Sequence, residues 1–491
     1  MNGQTSFQFA SRRKPAVVRS SGAGVPRGQV LFRGTNSPTF FFPIGAMLLF
    51  AVTLTGQDTR KVTEPTIPPV CRSLDAELSS TGEAIADADE TKLDTSRIQQ
   101  AFNQCRPGTA VELRANGTKN AFLAAPLELR QGITLLVSRG ATLFASRNPR
   151  DYDVTPGACG KVDNRGSGCR PLIRVPVHDA AVMGDGVIDG RGGAKLLGQN
   201  VSWWDLAQQA KAEKASQNVP HMLVGDEADG LVLYHITLRN SPKFHVIVYR
   251  TEGFTVWGVK IDSPETARNT DGIDPSSSRN VSILYSYIHA GDDHIAIKAG
   301  ASGPSTHMTI AHNHFYTGHG MSIGSGTRGG VSDIEVSDLT IQGALNGIHI
   351  KSSPTRGGLV RRVSYHDVCI QDVKNPIFFE TTYKHVTRGT LIPQYQDILL
   401  RDVRISGGGR ISLDGFDGAH PLYITFDGVL AANAPPVEVH AAHARIATGP
   451  GEVNFAPAGE DVLITKVRGS RKVPPCDKPF VAFPSVAATV R

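Results

Sequence analysis

The sequence predicts an all-β, single-domain right-handed parallel β-helix, a solenoid in which short strands wind round one continuous core. The first observation behind this prediction is a recurring pattern, apolar-x-apolar-x-x-apolar-x-apolar. Successive copies begin 23, 27, 27, 26, 29 and 35 residues apart, at Leu231, Phe254, Val281, Met308, Ile334, Val363 and Ile398. A copy is too small to bury a core alone, whereas stacked copies bury one together.

The second observation is that apolar and polar residues alternate within each copy, with turn residues between copies. A period of two is typical of strands and excludes helical repeats such as ankyrin arrays. A β-propeller needs blades of about 40 residues or more, which the shorter spacing disfavours. Earlier coils can be traced in segments that begin at Gly132 and Val182.

The third observation is a column of polar residues in register with the repeat. Asp271, Asp293, His319 and Asn346 are 22, 26 and 27 residues apart, and apolar residues two positions after each keep this spacing. A polar column beside an apolar one is what stacked strands produce. Carboxylates concentrated in that column indicate acid/base chemistry.

The charge of the chain does not indicate a nucleic-acid partner. The 491 residues carry a formal charge of +6, but residues 1–57 hold six Lys and Arg and no Asp or Glu. Without them, 45 basic residues face 45 acidic ones. The chain after residue 57 is therefore close to neutral, and we expect no nucleic-acid partner. We also expect the protein to be a monomer.

Residues 1–57 form a predicted leader. Its apolar run from Phe40 to Leu54 has 15 residues, which is short for a membrane span and typical of a signal-peptide core. We therefore expect a secreted or periplasmic protein, with no stable membrane partner unless the leader stays uncleaved as an anchor. The other interpretation is a buried N-terminal segment.

Six cysteines agree with export, because an even count suits disulfides in an oxidising compartment. Cys159 and Cys169 flank a short glycine-containing stretch and could close a small loop. The other pairs are assigned without support from spacing, as Cys71 with Cys105 and Cys369 with Cys476. No Cys/His cluster has metal-ligand spacing, so neither a metal nor another cofactor is predicted.

The solenoid is expected over residues 65–485 as one domain. Residues 94–105 are predicted to form a short amphipathic helix that caps the N-terminal end of the apolar core. Asp94 is the expected N-cap residue, with its side chain accepting from the first free backbone N–H groups of that helix.

Strand alternation predicts a groove along one face of the solenoid. Equivalent residues on adjacent coils lie about 4.8 Å apart, so outward-facing side chains meet across coils. The groove would be lined by Asp271, Asp293, His319, His349 and Lys351, with acids at one end and cations at the other. Carboxylates this close raise one another's pKa. One protonated and one charged acid are what hydrolysis of a glycosidic bond requires, and the cations would suit a sugar that carries a carboxylate.

Strict alternation would send Asp292 and Asp293 to opposite faces of the strand. Both can serve the groove only if the strand entrance is bent, and the preceding Gly291 makes a bend cheap. Each aspartate alone could be a turn residue, since Asp favours turns in any solenoid. Three of them in register with Gly-His-Gly at 318–320 favour a catalytic site.

At these residues the sequence resembles the polygalacturonase family of pectin-degrading glycoside hydrolases, family 28, and in its longer motifs the bacterial members. The matching segments follow the family's order: Asn-Thr-Asp at 269–271, Gly-Asp-Asp at 291–293, Gly-His-Gly at 318–320 and Ile-Lys at 350–351. The resemblance covers most of the chain after about residue 70.

The resemblance implies metal-independent hydrolysis of α-1,4-galacturonosidic linkages in polygalacturonate, with inversion. By position, Asp292 would be the general acid that protonates the leaving oxygen. Asp271 and Asp293 would be the pair that activates water. His319 would orient or tune the acid.

The resemblance also implies substrate-binding roles for Lys351, Tyr383 and His349, with Lys351 holding a substrate carboxylate. His349 departs from the family pattern, which has arginine there. A histidine cannot reproduce the two-pronged grip of a guanidinium, so the sequence predicts that His349→Arg lowers KM on polygalacturonate. Arg356, in a nearby turn, is the residue that could compensate in the natural chain.

Three other functions stay open on the sequence alone. A related hydrolase could act on rhamnogalacturonan or xylogalacturonan, as the His349 departure allows. A pectate lyase is also a β-helix but uses calcium and an arginine base, which a trio of acids does not indicate. A non-catalytic, polysaccharide-binding β-helix would have no need of intact acids.

Overall fold

The computed structural model describes residues 57–163, 166–432 and 434–485 and is a right-handed parallel β-helix, as predicted. Thirty strands of these residues form one sheet that winds round the core. Each coil contributes strands to three stacks, called stack 1, stack 2 and stack 3 in chain order. The predicted leader lies outside the described residues, apart from Gln57.

Stack 1 begins with separate short strands, Val70–Asp75, Thr109–Arg114, Ile133–Val137, Ala181–Met183, Val232–Tyr234, Thr255–Trp257 and Arg279–Leu284. Stack 2 begins in the same way, with Ala121–Ala124, Thr142–Ala145, Val187–Asp189, Thr237–Arg239, Lys260–Asp262 and Tyr287–His289. Further along, one long bent strand per coil serves both stacks: Ser305–Phe315, Val331–Gln342, Leu359–Gln371, Gln394–Ser406 and Leu422–Ala431.

Stack 3 carries the strands Leu127–Glu128, Ile173–Val175, Leu223–Asp226, Val246–Tyr249, Ile273–Ser276, Ile295–Ile297, Met321–Gly324, Asn346–Lys351, Asn375–Glu380 and Gly409–Asp414. Val437–Thr448 runs on from stack 3 into stack 1, where Gly459–Lys466 pairs with it. Two small antiparallel pairs lie outside the solenoid sheet, Ser80–Thr81 with Ala84–Ile85 and Lys161–Asp163 with Ser216–Asn218. Short 3-10 turns cover Asp87–Asp89, Pro149–Tyr152 and Tyr383–His385.

The register of the solenoid is the one that the repeat predicts. The first apolar residues of successive copies are direct cross-strand partners, from Val281 through Met308, Ile334 and Val363 to Ile398. The bend within a copy falls on a residue of positive φ, such as Asp338 at 49°. The spacing between copies of the repeat therefore equals the number of residues in each coil.

Helix α1, Thr95–Gln104, covers the N-terminal end of the core, as predicted, and buries Ile98, Ala101 and Phe102. The N-cap prediction is wrong in its contacts. Asp94 occupies the N-cap position, but its side chain accepts from the Leu123 N–H at 2.8 Å and from Arg97 Nε at 2.6 Å. The contact with strand Ala121–Ala124 directs this carboxylate away from the free backbone N–H groups of the helix.

The folded domain begins earlier than residue 65. Asp58 is buried, and its carboxylate accepts a hydrogen bond from Ser282 Oγ at 2.8 Å. The Thr59 hydroxyl donates to Asn280 Oδ1 at 2.8 Å. The segment from Asp58 onward is thus fixed to the outside of stack 1.

All three assigned disulfides are present, joining Cys71 to Cys105, Cys159 to Cys169 and Cys369 to Cys476. The first ties the end of α1 to the first strand of stack 1. Among the described residues, no helix is long and apolar enough to cross a membrane.

Helix α2, Trp203–Ala212, was not predicted. It begins at Ser202 with a capping box, in which Ser202 Oγ accepts from the Asp205 N–H at 3.1 Å and Asp205 Oδ2 accepts from the Ser202 N–H at 2.8 Å. The Ser-x-x-Asp signal for this box is present in the sequence. Together with the pair Lys161–Asp163 and Ser216–Asn218, α2 forms a wall outside the solenoid, here called the side module.

Candidate active site

The predicted polar column lies at the turns that lead into consecutive stack-3 strands. Ile273 pairs with Ile295, and Ile295 pairs with Met321. The residues two positions earlier are therefore neighbours on adjacent coils: Asp271, Asp293 and His319. The predicted in-register arrangement of these side chains is what the structure contains.

Asp292 and Asp293 both reach the site because the chain is bent ahead of strand Ile295–Ile297, as expected. Gly291 contributes to this bend by its size. A Cβ there would lie 2.1 Å from the Ala267 carbonyl oxygen, so only glycine allows the two turns to approach.

Asp292 and His319 form a hydrogen-bonded pair, with His319 Nδ1 3.0 Å from Asp292 Oδ1. Burial alone would raise the pKa of Asp292, but the hydrogen bond and charge of His319, with the charge of Lys351, outweigh it and hold that pKa below its usual range. Burial acts against a charge on His319, yet the bond to Asp292 raises the pKa of His319. Both shifts favour an ion pair, with a charged Asp292 carboxylate and a protonated His319.

Asp293 is held by two donors. Lys351 Nζ lies 2.9 Å from Asp293 Oδ1 and 2.8 Å from Oδ2, and Ser322 Oγ donates to Oδ1 at 2.7 Å. Both Asp293 and Lys351 are buried. Two of the three protons of the ammonium group are thus committed to Asp293.

Asp271 belongs to a cluster with Asp274 and Lys298, two residues that the sequence analysis did not name as site residues. Lys298 Nζ lies 3.3 Å from Asp271 Oδ2 and also contacts Asp274 Oδ2. Asp271 Oδ1 is buried and has no hydrogen-bond partner among the described residues. Both added residues could have been found by alternation, because Asp274 follows buried Ile273 and Lys298 follows buried Ile297.

The electrostatics of this cluster differ from those of Asp292. Burial, followed by the negative charge of Asp274, raises the pKa of Asp271 well above its usual range, although Lys298 acts against both. Burial raises the pKa of Asp274 to about 6, again against Lys298. The carboxyls with raised pKa values are therefore Asp271 and Asp274, whereas the pKa of Asp292, the predicted acid, is lowered in the free protein.

A comparison with known proteins can now be added to this geometry. Residues 160–442 match the model of the family described as glycosyl hydrolases family 28. The chain belongs to this family. It is 40% identical over 388 residues to an endo-polygalacturonase of Pectobacterium parmentieri, covering 79% of this chain and 92% of that one.

Two further family 28 relatives extend the comparison. A polygalacturonase of Ralstonia solanacearum is 36% identical over 498 residues, covering 87% of this chain and 94% of that one. The solved structure of a polygalacturonase from Erwinia carotovora ssp. carotovora superposes with a TM-score of 0.72 at 37% identity, covering 79% of this chain and all of that one. The right-handed parallel β-helix and the glycosidase class are thereby established for this family 28 enzyme.

Tyr383 lies at the site, in the turn Tyr383–His385. Lys351 Nζ is 5.4 Å from the centroid of its ring, within cation–π range. The Tyr383 N–H donates to the Ser352 carbonyl at 2.8 Å, which fixes the turn beside Lys351. The tyrosine ring therefore lies beside the Lys351 ammonium group, and its contact with substrate stays a prediction.

His349 is not placed as the sequence analysis expected. Its ring stacks on Phe378 with centroids 5.0 Å apart, and its Nε2–H donates to Glu380 Oε1 at 3.2 Å. Its side chain is only 4% exposed, and burial, together with the charge of Lys351, lowers its pKa. In this family 28 enzyme, His349 is therefore held by Phe378 and Glu380 of the next coil.

The side module contributes a contact that sequence reasoning missed. Gln217 Nε2 donates to Asn269 Oδ1 at 3.0 Å, and Asn269 Nδ2 donates to Asp292 Oδ2 at 3.2 Å. Gln217 lies in strand Ser216–Asn218, outside the repeat, so no spacing pointed to it. Through Asn269, the side module orients the predicted acid.

Asp292, Asp293 and His319 present ligand atoms within 4.8 Å of one another, a grouping that a divalent ion could use. An ion there would have to displace the Lys351 ammonium from Asp293 and the His319 proton from Asp292. The residues therefore fit a proton-transfer site better than a metal site. That catalysis is metal-independent stays a prediction.

Proposed function

We propose that this family 28 enzyme is a polygalacturonase that hydrolyses the α-1,4-galacturonosidic linkages of polygalacturonate. One observation carries the proposal: carboxylates on adjacent coils have different partners, Asp292 being hydrogen-bonded to His319 while Asp271 keeps one oxygen without a hydrogen-bond partner among the described residues. The names of the relatives support the substrate, as do the cations that surround the acids.

Asp292 is the proposed general acid, and His319 is the residue that loads it. A proton that moves from Nδ1 to Oδ1 along their 3.0 Å hydrogen bond converts an ion pair to a neutral pair without changing the net charge. Exclusion of water by a bound sugar weakens solvation of the ion pair and favours that transfer. Asp292 then donates its proton to the leaving glycosidic oxygen.

Asp271 is the proposed base. Its unpartnered Oδ1 is able to accept a proton from water, and a raised pKa makes it a stronger base than an exposed aspartate. The water oxygen bonds to the anomeric carbon as the carbon–oxygen bond to the leaving sugar breaks. Asp293, fixed by Lys351 and Ser322, orients the water with its negative charge.

Inversion is proposed from the family resemblance, not from the carboxylate spacing. Inverting enzymes usually separate the acid and the base by about 6.5–9.5 Å, which leaves room for the attacking water between them. The anomer of the first product, read by proton NMR within the first minutes of reaction, tests this point directly. A retained anomer would overturn it.

Hydrolysis without a metal is expected to show as undiminished activity in excess EDTA. The purified chain from residue 58 onward would be incubated with de-esterified polygalacturonate, rhamnogalacturonan and xylogalacturonan. We expect reducing ends to appear with polygalacturonate and no absorbance from unsaturated products. Loss of activity in EDTA that calcium restores, together with unsaturated products, would indicate a lyase instead. Product length separates cleavage inside the polymer from cleavage at its ends.

The structure changes the expected effect of His349→Arg. An arginine at this position would meet the Glu380 carboxylate before the open groove, so we expect KM on polygalacturonate to stay within about threefold of the natural enzyme. The double variant with Glu380→Gln would free the guanidinium and lower KM. Steady-state kinetics on both variants decide the matter, and a lower KM in the single variant would restore the sequence-based prediction.

Export to the periplasm or the medium is also proposed, supported by the three disulfides, which are typical of oxidising compartments. Fractionation of the expressing cells, followed by thiol alkylation of the protein with and without reductant, tests it.

A further inference from the structure

The cations nearest the acids are already neutralised. Lys351 is paired with Asp293, and Lys298 is paired with Asp271 and Asp274. A substrate carboxylate would have to compete with these protein carboxylates for either ammonium group. Recognition of a polyanion is easier at a cation that has no such partner.

Two cations beside Asp271 have no such partner. Within the described ranges, neither Lys243 nor Arg268 has a carboxylate oxygen within 4.0 Å, and both are half-buried. The Lys243 and Lys298 ammonium groups lie 5.6 and 4.4 Å from the centroid of the Phe244 ring. Lys243 therefore stands next to the cluster that contains the proposed base.

The side module holds the second cation in place. Arg268 Nη1 donates to the Ala207 carbonyl of α2 at 2.8 Å, and Gln208 Nε2 of the same helix donates to the Thr266 carbonyl at 3.1 Å. The turn that leads to Asn269 is thus fixed, and the guanidinium keeps other N–H donors for a ligand.

Lys243 lies on the opposite side of the acids from Lys351, and Arg268 lies in the coil of Asp271. Lys243 precedes strand Val246–Tyr249, which pairs with Ile273–Ser276 and so lies one coil before Asp271. Lys351 ends a strand three coils after Ile273–Ser276. Four coil steps of about 4.8 Å make the two positions roughly 19 Å apart along the axis, which exceeds one sugar ring.

Leaving like charges this close together without an anion is unfavourable. Burial lowers the pKa of Lys243, and the charges of Lys298 and Arg268 lower it further, although Asp271 acts in the other direction. A bound carboxylate would relieve that repulsion and gain charge-assisted hydrogen bonds.

We propose that Lys243, one coil before Asp271, and Arg268, in the turn that leads to Asp271, form a carboxylate-binding subsite for a uronate residue on the opposite side of the scissile bond from Lys351. The subsite deepens the proposed function and rests on it. It makes cleavage depend on an unesterified carboxylate at this sugar as well as at the one near Lys351.

The test is the affinity of a defined galacturonate oligomer, for example the hexamer, for an inactive Asp292→Asn background. Calorimetric titration should show Kd at least about tenfold higher when Lys243→Met is added, since a hydrogen bond to a charged group is lost. Lys243→Arg keeps the charge and should retain most of the affinity. Lys466→Met, an exposed lysine on the last strand, is the matched control and should leave Kd unchanged.

A second series separates the charge from a general folding defect. With a fully methyl-esterified oligomer, Lys243→Met should bind no more weakly than its parent, because the carboxylate is absent from both complexes. An unchanged Kd for the unesterified hexamer would overturn the subsite. If the natural chain neither binds nor cleaves galacturonate oligomers, the proposed function fails first, so the two failures can be told apart.

Discussion

Replacing Asp292 with asparagine is expected to lower kcat on polygalacturonate by roughly 10²–10⁴-fold, the usual contribution of a general acid. Asparagine keeps the shape, but its single amide oxygen can accept only one of the hydrogen bonds that His319 and Asn269 make to the two carboxylate oxygens. It also cannot take up a proton from His319 and pass it to the leaving oxygen. Because the substrate-binding cations are untouched, KM should change by only a few fold. Steady-state release of reducing ends measures both constants.

The control for this prediction is Asp477→Asn, which removes an exposed carboxylate near the C-terminus and should leave kcat unaltered. Activity of Asp292→Asn within tenfold of the natural enzyme would show that another group protonates the leaving oxygen. The His319–Asp292 pair would then be an electrostatic support, and the role assigned to it here would be wrong.

Lys298→Met is expected to lower the free energy of unfolding by about 3–5 kcal/mol at neutral pH, the usual effect of leaving buried charge unpaired. Among the described residues, Lys298 is the cation within ion-pair distance of both Asp271 and Asp274, which are buried. Without it, the pKa of Asp274, already raised to about 6, should rise further.

The sign of the pH dependence follows from those raised values. A carboxyl whose pKa is higher folded than unfolded contributes stability at low pH, which is lost as pH rises through the folded pKa. The deficit of Lys298→Met should therefore be largest near pH 7 and shrink towards pH 4, where the acids are neutral. Urea unfolding at several pH values measures it, with Lys298→Arg as the charge-keeping control. A deficit that does not vary with pH would mean that packing, not charge, explains the loss.

The parts of the molecule that could be predicted from sequence are those that the repeat constrains. Coil spacing determines which residues are cross-strand partners, so the neighbours Asp271, Asp293 and His319 follow from counting. The burial of His349 could not be predicted by counting residues along the repeat. It depends on Phe378 and Glu380 of the next coil, and therefore on side-chain packing.

Other differences have equally specific causes. The helix α2 has a capping-box signal in the sequence. It lies between copies of the repeat, however, and a search for the two-residue period of strands does not detect a helix. Gln217 lies outside the solenoid and contacts the acid only through Asn269. It is 52 positions before Asn269, a separation that the repeat does not predict. The pKa of Asp292 depends on its hydrogen bond with His319. The Gly-His-Gly motif identifies that histidine but does not give its distance from the carboxylate.

The chain of hydrogen bonds from Gln217 through Asn269 to Asp292 has a consequence for redesign. Coils of a solenoid invite exchange as interchangeable cassettes, since each contacts only its neighbours. Here the orientation of the Asp292 side chain depends in part on the side module, which does not belong to any repeated coil. A chimera that received only the catalytic coils would contain every motif but would lack Gln217. Asn269 would then lose the contact that fixes it beside Asp292.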